Sequence, residues 1–192
     1  ACRTMEMFEA YDFADQIKQE AYWVNETAFW KPDADLPEHI ARSGKIQDVE
    51  DDLSEMPHVI INQARVHDAF LDVMRHGPGK VVPHYSRKLL HLEVDQAKYV
   101  VGCDGARSTV RKSIGRELVG DSINQAWGVM DVLATTDFPD IRLKSAIHSA
   151  NEGNMLIIPR EGGYMVRLYI ELDKLNNTER LSKQSITADY LI

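Results

Sequence analysis

Residues Lys98–Gly115 read KYVVGCDGARSTVRKSIG. The apolar run Tyr99-Val100-Val101 leads into Gly102-Cys103-Asp104-Gly105, and a polar, helix-like segment with Arg107, Ser108 and Arg111 follows. A buried strand that enters a Gly-containing turn and then a helix is how α/β folds present backbone N–H groups to a phosphate. Asp104 can accept hydrogen bonds from a ribose or from backbone donors, and Gly105 lets a ligand come close to the chain. Arg107 and Arg111, four apart, fall on one helical face. Spacing alone leaves two readings open: a phosphate-facing turn, and an ordinary Asp-Gly turn whose Asp caps a helix.

N-terminal to this stretch the pattern is mostly helical. Thr4 is expected to cap a first helix with Met5, Phe8 and Tyr11 on one side, and Asp12 a continuation through Ala14, Ile17 and Ala21. Tyr22–Trp30 changes to a two-residue alternation and reads as a strand ended by Lys31-Pro32-Asp33. Pro32, Pro37 and Pro57 punctuate an acidic, partly looped region, within which Val49–Glu55 reads as a solvated surface loop. After the short run Val59-Ile60-Ile61, Asn62 caps a helix in which Val66, Ala69, Phe70, Val73 and Met74 share one face, and Gly77-Pro78-Gly79 stops it. Val81-Val82 and Leu89–Val94 read as strand pieces.

C-terminal to the stretch the character turns to β. Trp127–Ala134, Ser145–His148, Met155–Ile158 and Met165–Glu171 are strand candidates, separated by Pro139, Asn151–Gly153 and Gly162-Gly163. Four short strands with turn chemistry between them predict a mainly antiparallel sheet, and no internal repeat is visible. The fold class expected is therefore an α/β (α+β) mixture.

With 192 residues, the chain is long enough for one large or two small domains. A net charge of −8 disfavours nonspecific binding to nucleic acid or an anionic membrane. No apolar run approaches the ~20 residues needed to span a bilayer. The two cysteines, Cys2 and Cys103, are far apart, which points to a reducing compartment without a disulfide framework. The default expectation is a soluble cytoplasmic protein. The seven histidines are scattered without zinc-like spacing, so no metal site is expected, and neither a P-loop nor a Ser nucleophile elbow occurs. The sequence starts at Ala1 without Met and stops at Ile192 in a helix-like run, which reads as a piece of something longer.

A second segment of interest is Met155–Tyr169, MLIIPREGGYMVRLY. Pro159-Arg160 closes a strand, Gly162-Gly163 turns, and Arg167 and Tyr169 share parity on the returning strand, so both point to one face. Residue pattern alone is also compatible with a plain hairpin bearing solvated arginines.

Several motifs together resemble one family. Tyr99–Gly115 resembles the internal Asp-Gly fingerprint of flavoprotein aromatic hydroxylases. Arg3-Thr4-Met5-Glu6 is similar to the Arg-Thr-Leu-Glu helix start of that group, and Gln63-Ala64-Arg65 to its Gln-(Gly/Ala)-Arg helix start. Trp127-Gly128-Val129-Met130-Asp131, Asp137-Phe138-Pro139-Asp140 and Ile157-Ile158-Pro159-Arg160-Glu161 resemble the phenol 2-monooxygenase branch, which includes bacterial 3-hydroxybenzoate 4-monooxygenases.

The resemblance implies that Arg3 and Gln63 contact FAD at two helix starts, and that Asp104 binds its ribose–pyrophosphate region with Gly105 permitting the approach. It implies that Tyr169 sits by the flavin and the aromatic substrate, and that Arg160 lines the same active site. The reaction implied is hydroxylation of a simple phenol with O2 through a flavin C4a-hydroperoxide, NADPH being the reductant. Residues 1–21, 62–76 and 89–116 would then belong to a Rossmann-like FAD-binding domain, and 22–61 and 117–192 to a β-sheet substrate domain. The substrate is a small phenol such as phenol or 3-hydroxybenzoate, whose carboxylate could meet Arg142, Lys144 or Arg167. A homodimer is compatible with the resemblance. Larger phenolic substrates and a noncatalytic remnant acting as a binding module are the alternatives. The family's G-x-G-x-x-G turn, its Gly-Asp-Ala segment and its C-terminal domain are not among these residues, and the link from Val94 to Lys98 is shorter than in relatives. The 192 residues alone are therefore expected to be an internal piece that does not retain FAD.

Overall fold

The computed structural model describes residues 1–96, 99–121 and 125–172. The chain divides into two compact units, one of Ala1–Lys80 with Asn124–Ile192, the other of Val81–Ile123. The helix-like run toward Ile192 lies outside the described residues. Among the described residues no helix is long and apolar enough to cross a membrane.

In the larger unit, helices α1 (Cys2–Ala10), α2 (Ala14–Glu20) and α3 (Gln63–His76) close on one core. Met5, Phe8, Phe13, Ala14, Ile17 and Ala69 are buried there, with Val66, Phe70 and Val73 packed against them. The helical spacing of these residues is why the three helices form: each presents one apolar stripe, and the stripes meet. Asn62 caps α3 as expected, its side chain accepting from the Ala64 N–H at 2.9 Å. The other two caps differ from expectation. Helix α1 begins at Cys2, so Thr4 lies in its first turn, and α2 begins after Phe13, with Asp12 in the left-handed region (φ 63°) at the corner between the helices. Packing of Phe8 against Phe13, ring centroids 4.7 Å apart, sets that corner in place of a side-chain cap.

The expected strand at Tyr22–Trp30 is split into β1 (Tyr22–Trp23) and β2 (Glu26–Pro32), and a strand absent from the sequence reading, β3 (Ile40–Gln47), pairs with β2. Its sequence IARSGKIQ is polar and its residues are mostly exposed, so no alternation announces it; it is an edge strand held by β2. Strand β4 (Val59–Ile60) pairs with β1. All four expected C-terminal strands form: β5 (Ala126–Leu133), β6 (Lys144–His148), β7 (Asn154–Pro159) and β8 (Met165–Leu172). They join β2 and β3 in a six-stranded sheet of order β3-β2-β6-β7-β8-β5, antiparallel except for the parallel pair β2–β6. The mixed α/β class with a mainly antiparallel sheet is thus the observed one.

One face of the sheet carries Ala28, Ile157 and Val166, all buried. On that face Asp140, 3% exposed, accepts two 2.7 Å bonds from the Arg42 guanidinium and one of 2.9 Å from the Trp30 indole. The Asp137–Asp140 motif is therefore a structural hub linking β2 and β3 to the segment before β6.

The smaller unit contains α4 (Thr109–Ser113), and among its described residues there is no strand. The strands expected at Val81-Val82 and Leu89–Val94, and the buried run at Tyr99–Val101, are therefore not observed. A strand exists only by pairing, and no strand forms among the described residues of this unit; Val101 is 82% exposed. Arg107 lies in the turn before α4, so it does not share a helical face with Arg111.

Candidate active site

Pairing partners in a sheet point to the same face, so the register fixes which side chains meet. Thr27 pairs with Lys144, Ile158 with Arg167, and Arg167 with Asp131. Ser145 pairs with Ile157, which sets Lys144 and Ile158 side by side in that row. Thr27, Lys144, Ile158, Arg167 and Asp131 thus cross the sheet in a single row, and the neighbouring row contains Leu156, Tyr169 and Val129.

Above these rows the β4–α3 corner brings His58, Val59, Ile60, Ile61, Asn62 and Gln63 to the sheet, and the two sides enclose a cavity of about 600 Å³. Its sheet side is Lys144, Ile158, Arg160, Arg167 and Tyr169. Small-molecule pockets in general fall in this size class. Gln63, Arg160 and Tyr169, three of the residues singled out by sequence, therefore line one cavity although Gln63 lies about a hundred positions before the other two.

The charges in the cavity are organised. The Arg160 side chain is 9% exposed and its guanidinium donates to both Glu161 oxygens at 2.9 and 3.1 Å. Arg167 donates to both Asp131 oxygens at 2.7 Å. The bond from Arg167 holds the Asp131 carboxyl below the usual carboxylate range against its partial burial, and the Arg167 pKa is raised by Asp131 and by Tyr169 beside it. Lys144 donates to Asp48 at 3.3 Å, and the same carboxylate binds His58 Nδ1 and accepts from the Thr27 hydroxyl at 2.9 Å. Burial pushes the Asp48 carboxyl up, but the bonds from His58 and Thr27 and the charges of His58 and Lys144 outweigh it and lower its pKa.

Arg142, a sequence candidate for a substrate carboxylate, has another task. Its guanidinium donates to the carbonyls of Met165 and Arg160 at 2.9 and 3.2 Å and lies over the Tyr22 ring, fastening the base of the β7–β8 hairpin. The turn of that hairpin is Gly162-Gly163, with φ of 86° and 81°, as its composition requires.

Arg3 is exposed on α1 and does not line the cavity; among the described residues its side chain has no partner. Asp104 and Gly105 belong to the smaller unit. There the Asp104 carboxylate accepts from the Ser108 hydroxyl and from the N–H groups of Thr109 and Val110 at 2.6 and 3.1 Å, and these bonds hold its pKa down. Ser108 in turn accepts from the Arg111 N–H at 3.0 Å. The capping geometry, one of the two readings of this turn, is the one formed. Gly105 has φ 74° and nothing within 4 Å of where a side chain would begin, so its backbone stands open.

Sequence reasoning missed His58 and Asp48. His58 is one of seven scattered histidines, and no spacing ties it to Asp48 or Lys144; the β2–β6 register sets Thr27 beside Lys144, and the segment leading into β4 brings His58 to Asp48.

Residues 1–191 match the FAD binding domain family. The chain belongs to this family. As an FAD binding domain it is 56% identical over 218 aligned positions to the 3-hydroxybenzoate 4-monooxygenase of Comamonas testosteroni, a match covering 100% of this chain and 34% of that protein. It is 36% identical to the FAD-dependent monooxygenase terD of Aspergillus terreus, over 96% of this chain and 34% of that one. It is 29% identical to the phenol 2-monooxygenase fsqG of Aspergillus fumigatus, over 98% and 34%. The chain spans about a third of the length of these curated relatives. In fold it is similar to the p-nitrophenol 4-monooxygenase PnpA of Pseudomonas putida DLL-E4, with a TM-score of 0.65 at 18% identity, covering 94% of this chain and 49% of that one.

Proposed function

We propose that the full-length protein is an FAD- and NADPH-dependent monooxygenase that hydroxylates a single-ring phenol bearing a carboxylate, of the 3-hydroxybenzoate type. The observation that carries this reading is the cavity that Lys144, Arg160, Arg167 and Tyr169 line from the sheet side and His58 from the other. The relative with 56% identity is a 3-hydroxybenzoate 4-monooxygenase, which agrees with it.

The chemistry of the cavity suits such a substrate. Arg160 and Arg167 are each matched by a bidentate carboxylate, whereas Lys144 and His58 share the single carboxylate of Asp48. Lys144 keeps N–H donors beyond the one used on Asp48, and His58, bound through Nδ1, keeps Nε2. These two groups form the subsite for a substrate carboxylate. Tyr169 orients the phenolic oxygen, the neighbouring guanidinium groups favour the phenolate, and the Ile158 side chain supplies an apolar contact for the ring. A phenolate is the more nucleophilic form at its ortho and para carbons, so holding it is the protein's contribution to ring attack.

The residues fit FAD in two respects. The Gln63 carboxamide is exposed at the first turn of α3 beside the cavity and has no hydrogen-bond partner among the described residues, and Gly105 leaves an open backbone. Within the larger unit Gln63, Arg3 and Tyr169 would contact the cofactor; within the smaller unit Gly105 would, with Asp104 acting by fixing the turn that presents it. When bound, FAD supplies the oxygen activation that side chains lack. The helices with residues 89–116 would form part of an FAD-binding domain (1–21, 62–76, 89–116), and 22–61 with 117–192 a substrate domain.

The test is turnover by the intact gene product loaded with FAD. Oxidation of NADPH coupled to formation of a hydroxylated product from 3-hydroxybenzoate is expected; no aromatic-stimulated oxidation and no product would overturn the reading.

A further inference from the structure

Asp48 touches both side chains of the proposed carboxylate subsite, His58 and Lys144, without lining the cavity itself. It follows directly on β3, and its backbone N–H donates to the Asn25 carbonyl at 2.9 Å. Its side chain is 10% exposed. One carboxylate oxygen accepts from Thr27 at 2.9 Å and from Lys144 at 3.3 Å, and the other binds His58 Nδ1. Thr27 and Lys144 are register partners across the parallel pair β2–β6, so the hydroxyl and the ammonium reach the carboxylate from adjacent strands. His58 comes from outside the six-stranded sheet, on the segment leading into β4, and its carbonyl accepts from the Val24 N–H at 2.9 Å. Asp48 is thus the only described side chain hydrogen-bonded to both His58 and Lys144.

We propose that Asp48 is a positioning residue for the carboxylate end of the substrate: by binding His58 and Lys144 with opposite oxygens it fixes both side chains at one end of the cavity. The Nδ1 contact sets the ring orientation of His58 and turns Nε2 to the ligand. The shared oxygen orients the Lys144 ammonium, whose long stem would otherwise sample many rotamers. A carboxylate already held between a hydroxyl, an ammonium and an imidazole does not follow the ligand, so the subsite is built before substrate arrives. The proposal rests on the functional reading above, and its consequences fall on substrates that carry a carboxylate.

The experiment uses the intact FAD-loaded protein with 3-hydroxybenzoate and with resorcinol, which keeps the phenol and lacks the carboxylate. In Asp48→Asn the ratio of KM for 3-hydroxybenzoate to KM for resorcinol is expected to rise about tenfold, the scale of losing a charge-assisted hydrogen bond. An equal change in both KM values, or none, overturns the proposal. Should Asp48→Asn fail to bind FAD, Thr27→Val is read instead: a smaller rise of the same ratio supports the role, and an unchanged ratio overturns it. Lys144→Met separates this proposal from the reading beneath it. If Lys144→Met leaves the ratio unchanged, the carboxylate subsite itself is wrong; if it raises the ratio and Asp48→Asn does not, only the role of Asp48 fails.

Discussion

Asp131 and Arg167 stand directly opposite each other on β5 and β8 and are joined by two 2.7 Å hydrogen bonds. Because β5 is an edge strand, this pair fastens the last strand of the sheet and at the same time holds Arg167 beside Tyr169. The guanidinium has no freedom to swing away from the cavity while both carboxylate oxygens are engaged. Asp131→Asn keeps the shape and removes the charge. We expect kcat/KM of the intact protein to fall about fivefold to tenfold, with a smaller loss of stability because the pair is partly exposed. Steady-state kinetics beside a thermal melt separate the two effects; a large fall in melting temperature with unchanged kcat/KM would make the pair purely structural.

The helical core depends on Phe70. Its ring meets Phe13 at 5.0 Å and Phe8 at 5.8 Å, both edge-on, and Tyr11 at 5.8 Å. Phe70→Ala is expected to cost about 3 kcal/mol, the usual scale for deleting a large aromatic from a packed cluster. Phe70→Leu should recover roughly half of that. Denaturant unfolding of the two variants checks both values.

Gly102 is required for space. A Cβ at this position would lie 2.8 Å from the Cβ of Val110 and 2.9 Å from its Cγ1, closer than carbon atoms approach. Gly102→Ala should therefore loosen the Asp104 turn against α4, and Gly102→Ala with Val110→Ala should restore it. Hydrogen exchange at the Thr109 and Val110 amides, which Asp104 holds, reports the change.

Asp48 gives a pH signature. Its folded-state pKa lies below the ordinary aspartate value, so the unfolded chain takes up its proton first as pH falls. The stabilisation is fully present above about pH 4, the ordinary aspartate range. It is lost as pH drops from there through the lower folded-state value. Asp48→Asn has no such proton to gain. The difference in melting temperature between the native protein and this variant should shrink on acidification below about pH 4. A difference that stays constant across that range would remove Asp48 from the set of carboxylates that stabilise the fold.

What the sequence disclosed follows the strength of local signals. The apolar stripes of α1–α3 and the strand–turn–strand pattern from Ala126 to Leu172 are one-dimensional records of burial, and both were legible. Strand β3 was not, because an edge strand with polar side chains leaves no alternation to see. The run Tyr99–Val101 erred the other way: its composition is that of a strand, yet no strand forms among the described residues of its unit. At the site, Arg167 and Tyr169 were readable as one face from parity alone. Their meeting with Gln63 in one cavity came from resemblance, and the contacts of Asp48 with His58 and Lys144 join the end of β3, the segment before β4 and β6, which no local pattern records. The Asp104 turn carried both of its readings, since a carboxylate that caps α4 and a glycine that leaves the backbone open occupy adjacent positions.

The central claim is that the cavity between the β4–α3 corner and the sheet holds the phenol, with Tyr169 at its oxygen. The most direct measurement is the hydroxylation of 3-hydroxybenzoate by the intact FAD-loaded protein and its Tyr169→Phe variant, followed as product formed per NADPH consumed. The prediction is coupled product formation by the native protein and at least a tenfold lower kcat/KM for the variant, the ordinary effect of deleting a hydrogen bond to a reacting oxygen. Equal kcat/KM for the two proteins would contradict it.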